Sequence, residues 1–169
     1  MRSKAYPIAL GGMLAAVTVV LMTVGTVIPI ATYAAPVLCM AVGQVVLRLC
    51  GCRIAWAWYG AVSILGLLLA PDKEAAAVFV ALGYYPIVKP DLETKKLPWL
   101  RKGLLFNCSI LLMYWILMYV MGLDALKAEF SGMGIAAAAL LLFLGNVTFF
   151  LFDRALTRRW KRKIRWGRR

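Results

Sequence analysis

The sequence predicts an all-α, polytopic membrane protein: a bundle of six transmembrane helices with both termini in the cytoplasm. Three observations lead there. The 169 residues are 63% hydrophobic and 16% charged, with a mean hydropathy of +0.82, whereas a soluble domain has about 45–50% apolar and about 25% charged residues. Charged residues are absent from residues 5–47, 54–71, 103–123 and 132–152, runs long enough to cross the hydrocarbon core. If the chain crosses six times, eighteen of its twenty basic residues fall on one face, as the positive-inside rule requires. This composition excludes a soluble enzyme. The expected organisation is one transmembrane domain, residues 1–155, followed by a basic cytoplasmic tail, 156–169.

The first uncharged run has 43 residues. At 1.5 Å per residue it would be about 64 Å of helix, twice the roughly 30 Å core, so it must be two crossings. The break belongs at Pro29 to Pro36, in IPIATYAAP, because each proline biases the residue before it away from helix. Spans are therefore predicted at 7–28 and 34–50. The third is predicted at 54–70, the fifth at 103–122 and the sixth at 133–153. The fourth uncharged run, 75–88, has 14 residues and is short for a crossing. Starting it at 72 extends it and places Asp72 and Glu74 in a positive first turn. A span at 72–88 also keeps the basic residues of the following loop inside, with only Lys73 and Lys127 outside. No cleavable signal peptide is expected, because the first apolar stretch is far longer than an h-region.

The chain has no histidine, and none of its seven carboxylates lies in the middle of a span. Metal-dependent proteolysis, histidine-based nucleophilic catalysis and carboxylate proton relays all need such groups in the membrane. Asp91 with Glu93, set among lysines, is a poor Mg²⁺ site. No enzymatic activity, metal or cofactor is expected. The cysteines, Cys39, Cys50, Cys52 and Cys108, form no metal-ligand pattern and read as small apolar residues.

Polar groups near the outer rim are few. Asp72, Lys73 and Glu74 begin the fourth span, and Thr26, Thr32, Tyr33 and Tyr119 add hydroxyls; the first three suit either the mouth of a pocket or a helix cap. Gly83, Tyr84, Tyr85 and Pro86 interrupt the fourth span, as broken helices do beside transporter cavities, although interfacial anchoring also suits the tyrosines. Asn107 and Asn146, like Thr23, Gln44, Ser63, Ser109 and Thr148, lie within spans. An amide in lipid needs a partner, so each should face the bundle, as glue between helices or as a ligand contact. The candidate substrate-binding set is Thr32, Tyr33, Asp72, Lys73, Glu74, Tyr84, Asn107 and Asn146. With no deep charge available, the expected ligand is small and largely uncharged or aromatic.

The first span carries small residues at four-residue spacing: Ala5 and Ala9, Gly11 and Ala15, Gly12 and Ala16. Such stripes let another helix approach closely, either within the bundle or from a partner. In the tail, Leu156, Trp160 and Ile164 recur every four residues among basic neighbours. This pattern predicts an interfacial helix on anionic lipid. The membrane, not nucleic acid, is the nearest polyanion.

A small bacterial protein with six spans, both ends inside and a small-residue stripe on its first helix resembles the substrate-binding S components of energy-coupling factor (ECF) transporters. The resemblance covers residues 4–158. It implies residence in the cell membrane, capture of a vitamin or similar micronutrient, and work with a separate transmembrane coupling protein and ATPase subunits. In that family an alanine-type stripe on the first helix docks the coupling protein, and Ala5, Ala9, Gly12 and Ala16 stand in matching places. The pocket opens outward beneath the loops after the first, third and fifth spans. No polar signature of a particular vitamin is found, so the resemblance implies a class and not a compound. The chain is also similar to rod-shape-determining, MreD-like proteins, which are small, six-span and basic inside; that would imply a non-catalytic scaffold. An accessory subunit of another membrane complex is the third possibility.

Overall fold

The computed structural model describes residues 5–25, 31–94, 97–119, 132 and 135–166. Among these the chain is helical and has no strand. Among the described residues, four helices are long and apolar enough to cross a membrane, and the chain is a membrane protein. Its residues divide into two units, 1–102 and 103–169.

In the first unit, α1 (Ala5–Gly25) places Pro7 in its opening turn, where a missing N–H costs no helical hydrogen bond. Its inward stripe runs through Gly11, Leu14, Thr18 and Met22, the i, i+3, i+4 spacing of one helical face. Thr18 is fully buried; its hydroxyl donates to the Leu14 carbonyl at 2.7 Å, which satisfies a polar group within its own helix. α2 (Ala31–Cys50) passes into α3 (Cys52–Leu69) through Gly51 alone. Gly51 has φ 89°, a left-handed conformation that glycine adopts without steric cost. α3 buries Ala55, Trp58, Val62 and Gly66. α2 and α3 form the centre of the unit, and α1 packs on both.

α4 (Lys73–Leu82) and α5 (Tyr85–Glu93) also pack on α2 and α3. The expected fourth span is thus two helices, and the second runs to Glu93, five residues beyond the expected end. Gly83 and Tyr84, which join them, both stay in the right-handed helical region. Pro86 supplies the local cause of the interruption: it has no N–H to return to Leu82, and its ring crowds the preceding turn. α4 buries five successive residues, Ala75 to Phe79. Three are alanines, small enough for close helix approach on several sides.

In the second unit, α6 (Pro98–Tyr119), which begins in the first, and α7 (Ile135–Trp166) run antiparallel. A Cβ on Gly103 would meet Phe150, one on Gly145 would meet Phe106, and Phe106 stacks on Phe149 with ring centroids 4.7 Å apart. α6 starts five residues before the expected span because Pro98 opens it in the first turn. α7 has 32 residues, about 48 Å of helix against a core of about 30 Å. The basic tail therefore continues α7 to Trp166, instead of forming a separate element. The side chains of Trp160 and Ile164 lie outside the described residues.

Candidate functional site

Asp72 is the N-cap of α4: its carboxylate accepts from the Glu74 and Ala75 N–H groups at 2.9 and 3.1 Å. This satisfies two donors that every helix start leaves open. Lys73 Nζ donates to the Leu67 and Ala70 carbonyls at 2.8 and 3.0 Å, closing the last turn of α3 with a cation at its negative end. The rim charges thus hold the α3–α4 corner together. Thr32 and Tyr33 lie in the first turn of α2, and their side chains lie outside the described residues, as does Thr26.

Tyr84 is elsewhere. It stands beyond the far end of α4, whose ten residues separate it from the Asp72 corner by about 15 Å of helix rise. There it joins an aromatic group that the sequence did not single out. The Tyr84 ring lies 6.1 Å from Tyr59, edge to face, and Phe79 lies 6.0 Å from both Tyr59 and Trp58. Tyr59 Oη donates to the Val80 carbonyl at 2.6 Å, tying α3 to α4 just before the interruption. The buried period 55, 58, 62, 66 on α3 was the available signal for Trp58.

Among the described residues, two buried side-chain atoms of the first unit without a hydrogen-bond partner are Gln44 Oε1 on α2 and Trp58 Nε1 on α3. Gln44 is 7% exposed and Trp58 4%. Burying an amide oxygen or an indole N–H without a partner costs on the order of 1–3 kcal/mol each. α2 and α3 are held close here: a Cβ on Gly43 would lie 2.9 Å from the Trp58 ring. One acceptor and one donor, both neutral, are thus unused among the described residues of α2 and α3.

In the second unit, Asn107 and Asn146 face each other across α6 and α7. Each Nδ2 donates to the other's Oδ1 at 3.0 Å and to its own i−4 carbonyl, Gly103 or Leu142, at 2.8 Å. Both hydrogens of both amides are used, so the two candidate ligand residues form a clasp between helices. Asn107→Leu is expected to weaken the α6–α7 pair. A double-mutant cycle with Asn146→Leu should give a coupling of about 0.6–1.7 kcal/mol, as for polar pairs between membrane helices. Zero coupling in denaturation measurements would assign the amides no joint role.

Within the first unit the described candidates are separated: Asp72, Lys73 and Glu74 share a corner, and Tyr84 joins Tyr59. Within the second unit the two asparagines pair. On α1, Ala5, Ala9, Gly12 and Ala16 are all exposed, with open space beside Gly12. Gly11 instead faces α3, where its Cβ would sit 3.1 Å from Ile54. Among the described residues no group of three or more cysteine and carboxylate side chains could hold a metal ion. No protein-family model, curated protein or solved structure matches the chain.

Proposed function

We propose that the protein is a membrane-embedded subunit that captures a small, neutral micronutrient, such as a vitamin, for uptake by a separate coupling protein and ATPases. The observation that carries this reading is that, among the described residues, Gln44 Oε1 and Trp58 Nε1 are buried without a hydrogen-bond partner on adjacent helices, Trp58 edge to face with Phe79 before an interrupted helix. A donor and an acceptor held in an apolar core favour a ligand that offers the complementary pair and carries no charge. The exposed small-residue face of α1 supports docking of a membrane partner.

In this reading the chain crosses the cell membrane six times with both termini cytoplasmic. α4 and α5 together make the fourth crossing: 73–93 is 21 residues, about 31 Å of helix. The partition of basic residues supports this orientation.

A scaffold reading draws on a different observation. Asp72 and Lys73 bind backbone groups, and Asn107 and Asn146 bind each other, so these polar side chains serve the fold. Deleting the gene separates the two. The capture reading expects uptake of one nutrient to fall while cell shape is unchanged; altered shape with normal uptake of every vitamin tested would favour the scaffold.

A further inference from the structure

α2 ends on Cys50 and α3 begins on Cys52, so the turn between them sets two of the four cysteines on either side of Gly51. Both are free thiols; Cys52 is exposed and Cys50 half-buried. Gly51 has φ 89° and ψ 171°, a backbone region that essentially only glycine adopts. A Cβ there would meet nothing within 4 Å among the described residues, so the turn is open. The sequence suggests small apolar residues here; what it does not reveal is that the two flank one open corner. Two residues of extended chain place their Cα atoms at most about 7 Å apart. A disulfide prefers about 5.5–6 Å, so this spacing suits sulfurs that share an ion better than sulfurs bonded to each other.

No third cysteine or carboxylate joins the pair among the described residues, and the chain has no histidine. That donor set does not serve zinc, whose structural sites take four protein ligands and whose catalytic sites take three. Thiolates select soft ions such as copper(I), and a monovalent d¹⁰ ion accepts two ligands in a line. We propose that Cys50 and Cys52 form a two-thiolate binding site for a soft monovalent metal ion of the copper(I) type. On binding, each thiol releases its proton to solvent and each sulfur forms one bond to the ion; no electron is transferred. The bound group carries one net negative charge. Arg48, in the last turn of α2, and Arg53, next to Cys52, make this corner cationic, which favours such a group. The site uses neither Gln44 nor Trp58 and does not depend on nutrient capture.

The test uses the purified full chain in detergent, reduced and kept anaerobic. Copper(I) is supplied as its bicinchoninate complex, whose loss of colour gives the affinity by competition, and native mass spectrometry gives the stoichiometry. One ion per chain is expected. It should protect Cys50 and Cys52 from alkylation, mapped by peptide mass, and leave the exposed Cys108 reactive. Cys52→Ser changes an exposed side chain and should weaken binding about a hundredfold or more, because one soft ligand of two is lost. Cys50→Ser should do the same, whereas Cys108→Ser should leave the affinity unchanged. Zinc at equal concentration should protect neither thiol of the pair. Absence of a bound ion, protection of one thiol only, unchanged affinity in Cys52→Ser, or protection by zinc equal to that by copper(I) would overturn the proposal.

Discussion

Phe79→Ala is expected to lower stability by about 3–5 kcal/mol, the range for truncating a fully buried aromatic side chain. Phe79 has no exposed surface and touches Trp58 and Tyr59 on α3, while its own helix is buried along five successive residues. Lipid is as apolar as the core, so burial contributes little drive inside a membrane. What Phe79 supplies is dispersion contact with rings that cannot collapse into the space it leaves. For a chain of this length that loss corresponds to roughly 10 °C or more in Tm, readable by thermal unfolding in detergent. Val62→Ala removes far less volume from the same cluster and should cost markedly less. Equal, small shifts for both variants would mean that the aromatic group is not the packing centre of the first unit.

Adjacent glycines on α1 should respond in opposite ways. Gly11→Leu drives a side chain into Ile54, 3.1 Å from where its Cβ would stand, and overpacking of this kind costs about 1–3 kcal/mol. Gly12→Leu meets nothing within 4 Å, and it replaces glycine with a better helix former. Gly12→Leu, like Ala9→Trp, should therefore leave the isolated protein folded and abolish co-purification with a membrane coupling protein, because a bulky side chain prevents close helix approach. If Gly12→Leu unfolds the protein, that face packs within the molecule, and the docking role is wrong. Spacing alone offered three stripes on this helix without saying which faced outward. That choice depends on where α2 and α3 lie, which is a tertiary fact.

Most helices were legible because lipid forbids charge. The uncharged runs at 54–71 and 103–123 correspond to α3 and to most of α6, and Asp72 was visible as a favourable helix start. Lys89, buried with its Nζ 3.7 Å from Glu93 Oε1, was not legible. A lysine reads as the end of a span, yet its side chain can be buried when a carboxylate is within reach. Glu93, one helical turn on, was the local signal; Lys102, on the next helix and 3.0 Å from the same atom, had none. The two asparagines show the same boundary. Their need for a partner follows from chemistry, but their pairing across 39 positions follows from the antiparallel course of α6 and α7. Gln44 was visible as a polar residue in a span, whereas its lack of a partner emerges only when its neighbours are in place.

The most direct measurement for nutrient capture is mass spectrometry of small molecules retained by the purified protein, followed by thermal-shift titration of each against the wild type, Gln44→Leu and Trp58→Phe. A ligand at about 100 times its Kd adds about 2.7 kcal/mol of stability. The expected result is one neutral, heteroatom-bearing compound that raises the Tm of the wild type by several degrees. The shift should largely vanish in both variants, because Gln44→Leu removes the acceptor and Trp58→Phe removes the donor while keeping an aromatic ring. If no vitamin, nucleobase or related compound is retained or shifts the Tm, or if the shift survives unchanged in both variants, the Gln44–Trp58 core is not a ligand site and the scaffold reading takes its place.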